Sequence, residues 1–273
     1  MDALSHLFET TGLSAQVFFA GSLCNTTAYA PELAHGHLHM LRAGRLRVAA
    51  PGHAERVLEE PAVILLPRSI AHRLVPMDAS GADLVCGAID LGLSGQSPLQ
   101  RSLPPIVAVT TTRLPALTST LDLLFAESAH ALAGRQAAVN RLVEYLLIQL
   151  LRELGEQGET GSGLLAGLAD ARLARVLTAL HEDPARSWTL AQLADVAALS
   201  RARFAAHFLA VMGQTAMDYL TDWRITLAQK RLLRGQPVKS VAGAVGYTSA
   251  AAFVRVFSRR VGQSPAAWAA GRG

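Results

Sequence analysis

Two stretches of the sequence, residues 193–213 and 241–262, repeat one pattern, and this internal repeat restricts the possible folds more than any other feature. Each copy begins with a short segment of helical apolar periodicity and continues through a tight turn and a polar residue. It ends in a second helical segment with two phenylalanines four positions apart. The matched positions are Leu193, Ala194, Ala197 and Leu199 with Val241, Ala242, Val245 and Tyr247, and Phe204, Phe208 and Gly213 with Phe253, Phe257 and Gly262. The pattern predicts a helix-turn-helix unit that occurs twice, with one residue inserted at the second turn.

In such a unit the phenylalanine pair lies in the core, and the opposite face of the second helix enters the major groove of DNA. Ser200 is the predicted cap of that helix in the first copy, and Thr248 or Ser249 in the second. The candidate DNA-binding residues on the outward face are Arg201, Ala202, Arg203, Ala205 and Ala206, and then Ser249, Ala250, Ala251, Arg255 and Arg259. Arginine binds guanine or phosphate, and small side chains allow contact with a thymine methyl group. Each single arginine is equally compatible with a solvated surface charge.

The charge is divided unevenly along the chain. From residue 171 onward there are 14 Lys and Arg against 5 Asp and Glu, whereas the preceding part has 11 against 16. A basic part joined to an acidic one indicates that only the C-terminal part meets a polyanion, here double-stranded DNA.

The sequence gives no sign of export or of a membrane partner. It starts without a basic and apolar leader, and no apolar run approaches the ~18 residues that a membrane span needs. We therefore expect a cytoplasmic, nucleoid-associated protein. Its two cysteines are too few for a disulfide framework and are expected to be thiols under reducing conditions.

The hydrophobic pattern changes along the chain and predicts an α+β protein. Residues 16–110 contain short apolar runs separated by Gly and Pro, which is typical of an antiparallel sandwich or barrel. Residues 115–133 and 136–153 have helical periodicity, with an apolar stripe of Leu142, Val143, Leu146, Leu147, Leu150 and Leu151 that either packs on the barrel or forms part of a dimer face. The predicted divisions are a barrel over 1–114, helices over 115–153, a linker over 154–163 and an all-α DNA-binding domain over 164–273.

The C-terminal part resembles the AraC/XylS family of transcription regulators. The resemblance rests on "WTLAQLADVAALSRARFAAHF", "YLTDWRITLAQKRLL" and "VKSVAGAVGYTSAAAFVRVFSRRVGQSPAAW". It implies two helix-turn-helix units on one linker helix, which contact adjacent segments of the major groove. Ala198 occupies the turn position where relatives often have Gly.

The N-terminal part resembles the cupin barrel that these regulators carry. "HGHLHMLRAGRLRV" and "LLPRSIAHRLV" are similar to its two motifs, so that His37, His39 and Gly44 match the first motif and His72 the second. The carboxylate expected a few residues after the histidine pair is absent from 40–43. If Cys24 and Cys86 point inward beside His39 and His72, the four form a Cys2His2 set suited to Zn(II), with His37 as the substitute ligand.

The fuller resemblance, which includes "MDALSHLF" and "LVCG", is to the branch of this family that senses reactive chlorine. It implies that Cys24 and Cys86 are redox-sensing residues and that hypochlorous acid is the signal. The resulting hypothesis is a homodimeric activator that binds a promoter operator and contacts RNA polymerase. Oxidation would join the two thiols in a disulfide and release Zn(II) where it is bound.

Two alternatives remain open from the sequence. In the first, the barrel binds a small organic molecule or a metal as a reversible effector, and the cysteines are core residues. In the second, the barrel is a metal enzyme that uses His37, His39 and His72, although the missing carboxylate argues against it. We expect a protein that is not an enzyme.

Overall fold

The chain contains nine strands and twelve α-helices within residues 3–31, 35–91, 97–156 and 162–271, which a computed structural model describes. The strands are β1 (Ser14–Leu23), β2 (Thr27–Tyr29), β3 (Gly36–Ala43), β4 (Leu46–Ala49), β5 (Arg56–Leu58), β6 (Ala62–Leu66), β7 (His72–Pro76), β8 (Ala82–Asp90) and β9 (Val107–Thr110). The helices of the first half are α1 (Ala3–Thr11), α2 (Pro98–Ser102), α3 (Thr118–Ala129) and α4 (Arg135–Glu156), with a short 3-10 helix at Pro115–Leu117. Those of the second half are α5 (Leu164–Ala169), α6 (Ala171–Glu182), α7 (Leu190–Val196), α8 (Arg201–Met212), α9 (Ala216–Leu233), α10 (Val238–Ala244), α11 (Ala250–Val261) and α12 (Pro265–Ala270).

The strands form two antiparallel sheets, as the sequence predicts. One has the order β1-β8-β3-β6-β9 and the other β2-β7-β4-β5. The central strand β6 is apolar and fully buried, and the first six residues of β3 are buried as well, as expected for strands covered on both faces. Between β3 and β4 the chain turns at Gly44, whose φ of +86° and whose Cβ position, 2.6 Å from the Gly81 carbonyl oxygen, admit only glycine. This is the glycine that the sequence places at the end of the first cupin motif.

Helix α4 covers the edge strand β1. Asn140 Oδ1 accepts a hydrogen bond from the Val17 amide at 2.9 Å, and Gln136 Nε2 donates to the Val17 carbonyl at 2.9 Å. These contacts satisfy backbone groups that an edge strand otherwise leaves open. Most of the predicted apolar stripe on α4 is buried in the core and is not left on the surface. The buried residues are Val143, Leu146, Leu147, Leu150 and Leu151.

The division of the chain differs from the predicted one. One compact unit consists of Leu13–Gly95 and Leu103–Gln157, and the other of Met1–Gly12, Gln96–Ser102 and Gly158–Gly273. We call them the barrel unit and the DNA-binding unit. Helices α1 and α2 join the DNA-binding unit because Leu7 and Leu99 are fully buried, with α1 against α6 and α9 and α2 against α5 and α9.

The predicted linker over 154–163 also differs, because α4 continues to Glu156. Residues 157–161 of that segment lie outside the described residues.

Both helix-turn-helix units are present. The first is α7 and α8, the second is α10 and α11, and α9 lies between them in the chain. The four repeated phenylalanines, Phe204, Phe208, Phe253 and Phe257, are fully buried. Ser200 and Ser249 cap α8 and α11 by accepting the amide hydrogens of Arg203 and Ala252, so Ser249 is the cap in the second unit.

The first turn contains the one residue other than glycine with positive φ in the described part of the chain. Ala198 has a φ of 54°, a left-handed conformation that costs a side chain free energy. The corresponding turn of the second unit has Gly246 at φ +87°. Because Ala198 occupies the turn position where relatives often have glycine, the backbone is strained in the first turn and not in the second.

Candidate functional site

Three histidines converge in the barrel unit. His37 and His39 lie two residues apart on β3, on the same side of the strand, and His72 begins β7 on the other sheet. Candidate ligand atoms of the three rings all lie within 4.8 Å of one another, and all three side chains are buried. The sequence motifs therefore meet in space as the cupin resemblance implies.

The closest contact in this cluster joins His39 Nε2 to His72 Nε2 at 2.8 Å. His72 Nδ1 lies 2.9 Å from the Ile70 carbonyl oxygen, which requires its proton on Nδ1 and leaves a lone pair on Nε2. His39 Nε2 then carries the shared proton, while its buried Nδ1 has no hydrogen-bond partner among the described residues. Burial lowers the pKa of both rings, well below the usual value for His39, so both are neutral.

Tyr29 and Cys86 complete the surroundings of the histidines. The Tyr29 ring stacks on His72 with centroids 4.8 Å apart, and its hydroxyl lies 4.0 Å from Cys86 Sγ. Cys86 is the direct partner of His39 across β8 and β3, so the two side chains leave the sheet on the same face. Burial raises the pKa of the Cys86 thiol to about 12.

The structure does not bring Cys24 to this cluster. Cys24 is exposed just after β1, with its sulfur 3.9 Å from Ser22 Oγ. The preceding Leu23 pairs with Ala82, four residues before Cys86 on β8, a separation of about 13 Å along the strand. The expected Cys2His2 set is therefore not assembled, since β1 ends at the rim, and the clustered ligands are His37, His39 and His72 with Cys86 beside them.

The donor set fits a divalent metal such as Zn(II). Imidazole is a favoured zinc ligand, and the His72 Nδ1 contact with a backbone carbonyl is the support that commonly orients a metal-binding histidine. Nitrogens on one tetrahedral zinc ion lie ~3.4 Å apart, so the 2.8 Å pair needs only a small opening. Among the described residues no carboxylate joins the set.

Two cavities flank Tyr29. One of about 520 Å³ is lined by Phe18, Tyr29, His35 and His37 among others, and one of about 410 Å³ by Tyr29, His53 and His72 among others. Sequence reasoning did not single out Tyr29 or Phe18. The only sequence signal was their position on apolar segments before the first histidine motif.

The predicted DNA-binding positions lie on the outer faces of α8 and α11. All are exposed except Ala205 and Ala250, which are half-buried: Arg201, Ala202, Arg203, Ala206, Ser249, Ala251, Arg255 and Arg259. The buried phenylalanines occupy the opposite faces, so each second helix presents a surface of arginine and small residues.

Comparison with known proteins gives the same two parts. A cupin family model matches residues 2–156, and a helix-turn-helix domain model matches residues 193–271. ToxT from Vibrio cholerae, solved with a bound unsaturated fatty acid, aligns over 94% of both chains at 13% identity with a TM-score of 0.42.

Two relatives are similar over long stretches. An AraC-like transcription regulator of Streptomyces lividans is 40% identical over 186 residues, which are 67% of this chain and 61% of that protein. The chain thus spans about three fifths of the length of that relative. The RCS-specific HTH-type transcriptional activator RclR of Escherichia coli (strain K12) is 30% identical over 97% of this chain and 96% of its own.

A two-sheet cupin part followed by paired helix-turn-helix units defines the class of DNA-binding transcription regulators with a cupin domain. The chain belongs to the AraC-type family of transcription regulators, and it is similar to RclR over nearly its whole length. The relatives named here are all regulators, which confirms that the protein is not an enzyme. Within the described residues, each helix is too short or too polar to cross a membrane.

Proposed function

We propose that this protein is a cytoplasmic, homodimeric activator that binds an operator in double-stranded DNA, contacts RNA polymerase and responds to reactive chlorine through Cys24 and Cys86. The observation that carries the oxidant response is an exposed thiol, Cys24, directly after β1 and a buried thiol, Cys86, on β8, the strand that pairs with β1. The similarity to RclR over nearly the whole chain supports the same reading.

The two thiols have unequal roles in this proposal. Cys24 is exposed and open to an oxidant, whereas Cys86 is buried and protonated at neutral pH. The Cys24 thiolate would take chlorine from hypochlorous acid, giving a sulfenyl chloride and hydroxide. The Cys86 sulfur, releasing its proton, would then displace chloride and form the disulfide, so that two thiols are oxidised and one hypochlorous acid is reduced.

The disulfide is incompatible with the present arrangement of the strands. A disulfide requires Cα atoms about 4.4–6.8 Å apart, whereas Leu23, the residue before Cys24, pairs with Ala82, about 13 Å along β8 from Cys86. Residues 24–26 would have to move inward, and they lead directly into β2, whose Tyr29 pairs with His72. Oxidation would therefore separate β2 from β7 and disturb the histidine cluster, which gives the barrel two distinct states.

The test combines chemistry and binding on the full chain. Anaerobically purified protein is treated with one equivalent of hypochlorous acid, and free thiols, intact mass and operator binding are measured before and after reductant. We expect loss of both thiols, a mass decrease of about two daltons and a change in DNA binding, all reversed by reductant. Cys24→Ser and Cys86→Ser abolish the response, and Ser22→Ala, which keeps the thiol and removes its neighbour, retains it.

The opposite results identify other mechanisms. Induction that survives both cysteine substitutions rejects the thiol switch. A disulfide between two chains, detected as a reductant-sensitive dimer that persists in Cys86→Ser, assigns the oxidation to Cys24 alone.

A second candidate function is a response to a metal effector, and the three-histidine cluster favours it. His37, His39 and His72 would hold Zn(II), with Cys86 as the adjacent thiol. A bound metal would tie β3 to β7 and bring the sulfur under the influence of a cation. Equilibrium dialysis against Zn(II) tests the site: His39→Gln and His72→Gln should weaken binding by more than about tenfold, whereas the exposed His53→Gln should not.

A further inference from the structure

Asp222 on α9 joins two arginines that come from different parts of the DNA-binding unit. Its Oδ2 accepts a hydrogen bond from Arg101 of α2 at 2.7 Å, and its Oδ1 lies 3.4 Å from Nε of Arg260 on α11. The Asp222 side chain is only 7% exposed. A carboxylate removed from water needs its charged partners, so both arginines contribute to keeping it in place.

The two contacts are not equivalent. Arg101 makes a direct hydrogen bond, whereas the Nε of Arg260 is buried without a hydrogen bond and meets Asp222 only as a looser ion pair. Arg260 is held more closely by Asp218, which also lies on α9. Arg101 therefore makes the stronger interaction with the shared carboxylate, and it holds the Asp222 side chain in the position where its other oxygen faces Arg260.

Arg260 follows Arg259 at the C-terminal end of α11, the second helix of the second helix-turn-helix unit. Its contacts with Asp218 and Asp222 fix that end of α11 against α9. Because Arg255 and Arg259 lie on the outer face of the same helix, a shift of the Arg260 anchor would change how both meet DNA. The strength of the Arg101 contact with Asp222 thus bears directly on the second helix-turn-helix unit, which contains Arg260.

Helix α2 is firmly seated in this unit. Leu99 and Gln100 are buried, and Ser97 and Gln100 exchange hydrogen bonds between side chain and backbone that close the start of the helix. In the chain, however, α2 is an excursion from the barrel unit. It follows β8, the strand of Cys86, and Leu103 directly after it belongs to the barrel unit again.

From these contacts we infer that Arg101 is a positioning residue for DNA recognition: through Asp222 and Arg260 it sets the placement of α11. The inference rests on the proposed function in one respect, since it requires that the second unit reads DNA. It does not depend on the nature of the signal that the barrel unit receives.

The test measures specificity by position. The wild-type full chain first selects a duplex from a randomised library, and dissociation constants are then measured for single base-pair changes across that duplex with wild type, Arg101→Gln, Arg101→Lys and Asp222→Asn. We expect Arg101→Gln to reduce discrimination roughly tenfold at the positions that Arg255→Ala also affects, because one charge-assisted hydrogen bond is lost. Positions sensitive to Arg203→Ala should be unchanged, and Arg101→Lys should restore most of the discrimination.

Controls separate positioning from general loss of structure. Arg141→Gln removes the ion pair of an exposed arginine with the half-buried Glu144 on α4, far along the chain from α2 and α9, and should bind DNA as wild type does. Arg101 is 43% exposed, so its substitution leaves no cavity; the loss of a partner of the buried Asp222 should lower the unfolding temperature, but unfolding should stay cooperative and the protein should be fully folded at the temperature of the binding assay. Equal losses at all positions, or no loss at any, would overturn the inference. Failure of the wild-type chain to select any duplex would instead contradict the proposed function.

Discussion

His39 and His72 share one hydrogen bond in the interior of the barrel unit, Nε2 to Nε2 at 2.8 Å, and this contact joins the two sheets. It needs one donor and one acceptor, so it is lost once both rings are protonated. The contact makes the barrel unit sensitive to protons in the absence of a metal.

Metal-free protein should lose stability as the pH falls below about 6.5. Burial lowers the folded-state pKa of His39 and of His72 below 6.5, so the unfolded chain binds more protons there, and the free energy of unfolding falls by about 1.4 kcal/mol per pH unit for each ring that stays neutral. Urea unfolding between pH 7 and 5 in the presence of a chelator measures this slope. His39→Gln should flatten it, His53→Gln should leave it unchanged, and a wild-type slope of zero would contradict the neutral pair.

The two thiols should react with a disulfide reagent at very different rates. Cys24 is exposed, whereas Cys86 is fully buried with its pKa raised to about 12, so its reaction should be at least ~100-fold slower. Stopped-flow absorbance with an aromatic disulfide at pH 8 resolves the phases. Cys24→Ser should show only the slow phase and Cys86→Ser only the fast one. Two equal rates in native protein would mean that Cys86 is accessible.

Replacing Ala198 by glycine should stabilise the DNA-binding unit by roughly 0.5–1 kcal/mol. The φ of 54° costs alanine about 1–2 kcal/mol, while glycine adds back a smaller entropic cost in the unfolded chain. Thermal and urea unfolding of the full chain measure the difference. Ala206→Gly, in the middle of α8, is the matched control and should destabilise by about 0.5–1 kcal/mol. A loss of stability in Ala198→Gly would show that the turn is not strained.

Arg255→Ala should weaken operator binding by about 1–3 kcal/mol and relax selectivity at one position if the side chain binds a base. A phosphate contact would instead lower affinity for all sequences alike and reduce its salt dependence. Titrations at several salt concentrations with matched and mutated duplexes distinguish the two. Unchanged affinity and selectivity would make Arg255 a solvated surface charge.

The sequence predicted features that depend on local periodicity. The repeat predicted both helix-turn-helix units, with Phe204 and Phe253 in their cores, because a buried helix face recurs every three to four residues. Alternation along a strand likewise placed His37 and His39 on one side of β3.

Features that depend on contacts between distant residues were not predictable in this way. Cys24 and Cys86 occupy the positions that the family resemblance implies. Cys24 nevertheless lies past the end of β1, and the pairing of Leu23 with Ala82 shows that this end of the strand is distant from Cys86. The assignment of α1 and α2 to the DNA-binding unit depends on where Leu7 and Leu99 are buried. Hydrophobic periodicity predicts that a residue is buried but not which element it packs against. The role of Arg101 could not be suggested before Asp222 was located beside it.

The interleaved composition of the DNA-binding unit limits how regulators of this kind can be recombined. A fragment that begins at residue 162 lacks Leu7 and Leu99, so the surfaces of α5, α6 and α9 that these residues cover would be left open to water. A hybrid protein made by joining this fragment to the N-terminal half of another regulator would take α1 and α2 from that other protein. Those helices would then have to pack against α5, α6 and α9 of this unit. Exchange of the barrel unit among such proteins therefore requires matched changes at three separated segments of the chain. This requirement favours divergence of the whole chain over recombination of its parts.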